Sequence, residues 1–179
     1  MNFSQYILDT ILRDTHRIEA LKAVKTLNLP DWLLAAGFVR NAIWDRLYEK
    51  NTPLNDLDVI YFCDSDLSKQ KDKHLEEQLI SVAPQFPWSV KNQARMHHKN
   101  QDKAYLSSFD AMSYWPEKQT SIGVWLNNQG KLQLEHCFDL SLWFDGTIQH
   151  NPTRSRGLFL KRINDKGWLK TWPELTIKS

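Results

Sequence analysis

Trp32-Leu33-Leu34-Ala35-Ala36-Gly37-Phe38-Val39-Arg40-Asn41 and Asn55-Asp56-Leu57-Asp58-Val59-Ile60-Tyr61-Phe62-Cys63 are the two stretches that decide the fold. The first opens as a short continuous apolar run, which fits a strand buried on both faces. Gly37 ends that run. Phe38, Val39, Ala42, Ile43, Leu47 and Tyr48 then follow the helical period until Asn51-Thr52-Pro53 stops them. The second stretch begins polar and turns apolar, β-branched and aromatic, which predicts another buried strand whose first residues emerge at an edge. Strand, glycine turn, helix and strand in this order place the chain in the α/β (α+β) class.

The neighbouring segments extend the pattern. Apolar residues from Ile7 to Leu27 recur at helical spacing and predict one N-terminal helix over 4–27. A mostly helical stretch runs from Asp64 to Ala83, and Trp88-Ser89-Val90-Lys91-Asn92 is a strand. Ser107 is placed to cap a helix ending near Trp115, since a serine oxygen accepts the orphan N–H groups of a helix start. Thr120–Leu126 and Lys131–Cys137 flank Asn127-Asn128-Gln129-Gly130 and predict a β-hairpin. A short helix around Asp139–Phe144 and a terminal helix over about 155–172 complete the pattern. At 179 residues the expectation is a single domain over 1–179 with its core at about 32–152.

Composition narrows the function classes. The chain is 41% hydrophobic and 25% charged, which permits a real core. Its net charge of +2 is too small a surplus to mark a nucleic-acid binder by charge alone. The start lacks a signal-peptide pattern, and no apolar run approaches the ~20 residues that span a bilayer, so a cytoplasmic protein without membrane partners is expected. Cys63 and Cys137 have no ligating neighbours and read as reduced core thiols. The eight tryptophans serve cores as readily as stacking platforms.

Chemistry concentrates at Asp56 and Asp58. Residues i and i+2 of a strand leave the same face, so two carboxylates meet at one point and repel. A hard divalent cation such as Mg²⁺ relieves that repulsion and takes substrate phosphates as further ligands; solvated turn carboxylates are the alternative. Gly37, opening a helix after a buried strand, offers free N–H groups and the positive end of a dipole to a phosphate; an ordinary turn with unusual φ is its alternative. Asp56 lies nineteen residues later, enough for one helix and a tight return.

Ala36-Gly37-Phe38-Val39-Arg40-Asn41 followed by Asn55-Asp56-Leu57-Asp58-Val59 resembles the DNA polymerase beta-type nucleotidyltransferase superfamily. Trp88 to His97, Trp115-Pro116-Glu117 and Ile122-Gly123-Val124 are similar to segments of a bacterial nucleotidyltransferase-like family within it, and the likeness spans about 33–152. The resemblance implies a mixed sheet flanked by helices, with Mg²⁺ or Mn²⁺ held by Asp56 and Asp58. It also implies a third carboxylate on a neighbouring strand, best matched by Glu135, with Glu117 and Asp110 behind it; Glu135 alternates with leucines and also fits a water-facing position. Gly37 and Arg40 would hold phosphates, Asn41 stands where relatives often have Asp, and Arg95 would contact triphosphate oxygens. Ala36 stands where the superfamily often has glycine.

The expected function is metal-dependent transfer of a nucleoside monophosphate from an NTP to an acceptor: RNA, a protein or a small molecule. Asp56, Asp58 and Glu135 are the catalytic and metal-binding candidates. The alternatives are a catalytically weak or inactive nucleotide- or RNA-binding module of the same fold, and a tryptophan-rich interaction domain. The basic run Arg154, Arg156, Lys161, Arg162, Lys166 and Lys170 reads as a solvated helix face or a polyanion contact. The oligomeric state is not specified by the sequence.

Overall fold

A computed structural model describes residues 1–178. The elements run α1 (Phe3–Leu12), α2 (Thr15–Lys25), β1 (Leu33–Ala35), α3 (Gly37–Leu47), β2 (Leu57–Tyr61), α4 (Lys69–Val82), β3 (Trp88–Asn92), α5 (Met96–Asn100), α6 (Ser108–Ser113), β4 (Ile122–Leu126), β5 (Leu132–His136), β6 (Thr147–Gln149), α7 (Arg156–Lys166), α8 (Trp168–Thr171) and β7 (Thr176–Lys178). Five strands form one sheet in the order β3-β2-β1-β4-β5. Only β2 and β3 are parallel, so the sheet is mixed and helix-flanked, as expected.

Period-two alternation sorts the strand residues onto two unequal faces. Leu34, Val59, Val90 and Val124 meet Ile7 and Ile11 of α1, Leu21 of α2, Val39 and Ile43 of α3, and Leu75 and Leu79 of α4 in the main core. The opposite face is thin: Leu33, Ala35 and Ile60 are covered by Met112 of α6. A third cluster packs Phe159 and Ile163 of α7, with Trp168 and Trp172, around Trp44 of α3. This last contact carries the C-terminal helices to the β1–α3 turn.

Both long terminal helices differ from expectation. The predicted helix over 4–27 is two helices, because the Asp14 carboxylate accepts the Arg17 N–H at 3.1 Å and starts α2 afresh. The helix over 155–172 is broken by Gly167, whose φ of 63° lies in the left-handed region that ends helices. Helix α4 begins only at Lys69, capped by Ser68, rather than at Asp64. Helix α5 and the parallel β6–β7 pair were not foreseen. Ser107 caps α6 through the Asp110 N–H, and the hairpin forms around Asn127–Gly130. Both cysteines are half-buried and free. No described helix is long and apolar enough to cross a membrane.

Candidate active site

Antiparallel pairing of Ala35 with Asp58 brings the start of β2 beside the end of β1, where the chain turns into α3. The turn is held by the Ala36 N–H, which donates to the Ile122 carbonyl at 2.9 Å, and by the Ala36 carbonyl, which accepts from the Arg40 N–H at 2.9 Å. Gly37 itself does not have a positive φ. The unusual backbone falls one residue earlier, at Ala36, with φ 53° and ψ −118°. A Cβ on Gly37 would come within 3.5 Å of the Arg40 and Asn41 side chains, an ordinary contact. No side chain caps α3, so its first turn presents backbone N–H groups to whatever lies in front of it.

In front of it lies a cavity of about 280 Å³ lined by Gly37, Arg40, Asn41, Asp56, Asp58 and Lys166 among others. Arg40 is buried and rigidly posed. Its Nε and Nη2 donate to the Asn41 Oδ1 at 3.1 and 2.8 Å, and its guanidinium lies 4.1 Å from the Trp168 ring centroid. Burial lowers its pKa to about 10, against the pull of Glu117, Asp58 and Asp56, so it remains a cation at neutral pH. Burial, reinforced by Asp56, pushes the Asp58 carboxyl above the usual carboxylate range, while Lys166, Arg40 and Arg162 pull it back. Lys166 Nζ donates to Asp56 Oδ2 at 3.3 Å.

The donor set suits a hard cation. Asp56, just before β2, and Asp58 within it offer only oxygens to the same cavity, and burial with the neighbouring Asp56 holds the Asp58 carboxyl above the usual range, a cost that a bound cation would relieve. Among the described residues no three His, Cys, Asp or Glu side chains gather into a metal site. A pair of carboxylates fits Mg²⁺ or Mn²⁺ that keeps waters and takes substrate phosphates as further ligands.

Glu135 is not brought to this pair. Asp58, Ala35, Gly123 and Glu135 form one row across β2, β1, β4 and β5. Three strand spacings of about 4.8 Å separate its ends by roughly 14 Å. Glu135 instead lines another cavity with Lys25, Asp31 and Trp125. Arg95 is likewise elsewhere: it is ion-paired with the buried Asp72 and does not line the acid-bearing cavity. Glu117 is fully buried, with its Oε1 accepting from Arg162 Nε at 2.7 Å, and serves as that arginine's counter-charge. Asp110 accepts the Leu106 N–H at 2.9 Å at the start of α6.

Sequence reasoning underrated Arg162 and Lys166. They stand four apart on α7, and that spacing alone aligns them on one helix face. What turns the face inward is the packing of Phe159, Ile163 and Trp168 on Trp44, which no local pattern announces. A larger cleft of about 870 Å³ lies beside α1 and α2, but its two acids are occupied: Asp45 by Thr52 and Trp172, Asp14 by Arg17.

The comparisons agree with this architecture. A family model described as nucleotidyltransferase matches residues 22–177. A solved structure described as an NMR structure revealing a CCA-adding enzyme head domain is 33% identical. The match covers 98% of this chain and 95% of that one, with a TM-score of 0.85. No curated protein sequence matches.

Proposed function

The chain belongs to the nucleotidyltransferase family, and from that premise we propose that it transfers a nucleoside monophosphate from an NTP to an acceptor, using Asp56 and Asp58 to hold Mg²⁺ or Mn²⁺. The observation that carries this reading is the convergence of the two acids, the uncapped start of α3, Arg40 and Lys166 on one cavity. Backbone N–H groups at Gly37 and the Arg40 guanidinium would bind the β- and γ-phosphates. Arg40 is held in place by Asn41 before substrate arrives, so it stabilises developing charge without reorganising. Lys166 would exchange Asp56 for a phosphate oxygen when metal takes the carboxylate. The metal, when bound, supplies charge stabilisation at the attacking and leaving oxygens of an in-line displacement. Arg95 has no role in this reading, because Asp72 already occupies it.

The purified protein incubated with each α-labelled NTP and Mg²⁺ or Mn²⁺ should release pyrophosphate and label an acceptor. RNA ends are one acceptor class to include, since the solved neighbour is described as CCA-adding. A second reading, a nucleotide-binding module without turnover, is favoured by the missing third carboxylate at the pair. It predicts metal-dependent NTP binding with no pyrophosphate released from the NTP, whichever acceptor is supplied.

A further inference from the structure

A second cavity, of about 490 Å³, also opens beside Asp58. It shares Ala36, Asp58, Thr120 and Arg162 with the first, so Asp58 stands where the two meet. Its cations are already paired: Lys91 with Glu76, Arg154 with Asp102 and Arg162 with Glu117, which leaves only the exposed Lys99 without an ion pair among the described residues. Much of the remaining lining is apolar or amide. Ile60, Met96, Trp115, Pro116 and Leu158 supply apolar surface, and Leu158 stays 41% exposed although its neighbour Phe159 on α7 is fully buried. Such a cavity suits a neutral group with flat apolar faces and a polar edge.

Two amides fix the character of that edge. Gln93, which follows β3 directly, is only 4% exposed, and its Nε2 donates to the Lys91 carbonyl at 3.2 Å. A carbonyl only accepts, so the end facing it is the NH₂ and the free end is Oε1. Oε1 has no partner among the described residues and is not one of the unpartnered atoms enclosed in the core, so it opens on the cavity that Gln93 lines. Asn100, at the end of α5, repeats the arrangement. The Tyr105 hydroxyl gives its proton to Asp102 and therefore accepts from Asn100 Nδ2 at 3.1 Å, which leaves Asn100 Oδ1 free. Both unpartnered amide ends are thus acceptors, and they call for N–H donors on the occupant.

The first cavity, at about 280 Å³, falls just below the ~300–1,000 Å³ usual for small-molecule sites, and the phosphate-binding groups line it. An NTP with its β- and γ-phosphates at Gly37 and Arg40 and its α-phosphate beside Asp58 has its nucleoside still to place. The second cavity continues from Asp58. We propose that it holds the base of the NTP and selects bases that carry an exocyclic amino group; the inference rests on the nucleotidyl-transfer reading above. An amino group supplies two N–H donors, matching two acceptor oxygens. Uracil and hypoxanthine supply a single ring N–H beside a carbonyl oxygen, which would face an amide oxygen with no proton between them. A site whose buried polar group is left unpaired rejects such an analogue.

The test uses the full chain, Mn²⁺ and no acceptor, with calorimetric titration of non-hydrolysable α,β-methylene analogues in matched pairs: CTP against UTP, which differ at the 4-amino group, and GTP against ITP, which differ at the 2-amino group. The amino-bearing member of each pair should bind about tenfold or more tightly. Gln93→Met keeps the length of the side chain and removes the oxygen, so it should bring the CTP-to-UTP ratio near one while leaving UTP affinity within about twofold. Asn100→Ala, at an exposed position, should narrow the ratio without touching the core, and it decides the matter if Gln93→Met fails to fold. Equal affinity within either pair overturns the proposal, and so does a preference that neither substitution reduces. Failure of the transfer reading looks different: no analogue then shows Mn²⁺-dependent binding that Asp58→Asn abolishes, and the proposal falls with it.

Discussion

Strand β2 carries acids and arginines near both of its ends, and the two clusters are built oppositely. Beside Tyr61, Asp72 accepts the Tyr61 hydroxyl at 2.8 Å and the Asn92 N–H at 3.2 Å, and pairs with Arg95. Asn92 in turn donates to the Cys63 carbonyl at 2.7 Å and accepts the Ala94 N–H at 3.0 Å. Each polar group there has a protein partner. At the other end, Asp56 touches one exposed lysine, and Asp58 feels Lys166, Arg40 and Arg162 only through space. The same residue types thus make a closed knot that holds α4 to β3 and an open cluster with capacity for a ligand. Satisfaction of the charges, not their presence, separates a structural role from a functional one.

Substitutions should split along that line. The largest expected effect is at Asp58→Asn, where turnover in the NTP assay should fall by roughly 10³-fold. Folding should not suffer. Because burial raises the Asp58 carboxyl above its unfolded value, the ionised group costs stability near neutral pH in the metal-free protein. In chelator, Asp58→Asn should therefore melt higher than wild type at pH 7, with the gap closing as pH falls through the carboxylate range. A large loss of Tm instead would make Asp58 part of the fold. Arg95→Met should do the reverse. Removing the partner of the 4% exposed Asp72 side chain leaves a buried charge uncompensated, at a cost of about 3–5 kcal/mol. A thermal melt should show the loss, while kcat/KM of the protein that remains folded stays near wild type.

Legibility in the sequence followed locality. The Gly37 turn, Asp56-Leu57-Asp58, the Trp88–Asn92 strand and the Asn127–Gly130 hairpin are set by neighbours within a few residues, and the corresponding elements formed. The partner of Arg95 lies 23 positions away at Asp72, so a cation near a polar cluster read as a phosphate ligand when it was already paired. Arg162 and Lys166 reach the acids only because a tryptophan-rich C-terminal cluster docks on Trp44. Strand order was equally hidden: alternation placed Glu135 on a strand, but not β1 and β4 between it and Asp58.

A smaller effect sharpens the open cluster itself. Ala36 takes φ 53° and ψ −118°, a conformation that favours glycine and costs an alanine about 1–3 kcal/mol. Relief of that strain outweighs the added chain entropy of glycine, so Ala36→Gly should stabilise by about 1 kcal/mol, raising Tm by roughly 2–4 °C. NTP affinity should be equal or better, because the turn keeps its shape with less bulk at the start of α3. A lower Tm would mean that the Ala36 methyl contributes more to packing than the backbone loses to strain.

The smallest effect is expected at Glu135→Gln, and its smallness is what matters. Oxygens sharing one Mg²⁺ each lie about 2.0–2.1 Å from it, so two ligand carboxylates must approach within roughly 4 Å of each other. Asp58 and Glu135 rise side by side from one sheet face with Ala35 and Gly123 between them, and side chains standing roughly parallel do not close a gap of roughly 14 Å. An added Cβ at Gly123 would meet the Leu33 Cβ at 3.0 Å, so the row is closely packed at its middle only because glycine stands there. Glu135→Gln should leave kcat and KM within about twofold of wild type across a Mn²⁺ titration, and stability within about 0.5 kcal/mol, as for surface substitutions generally. A drop in kcat with KM preserved would instead give Glu135 an interaction made only in the transition state. That result would require β5 to swing toward the acids when substrate binds.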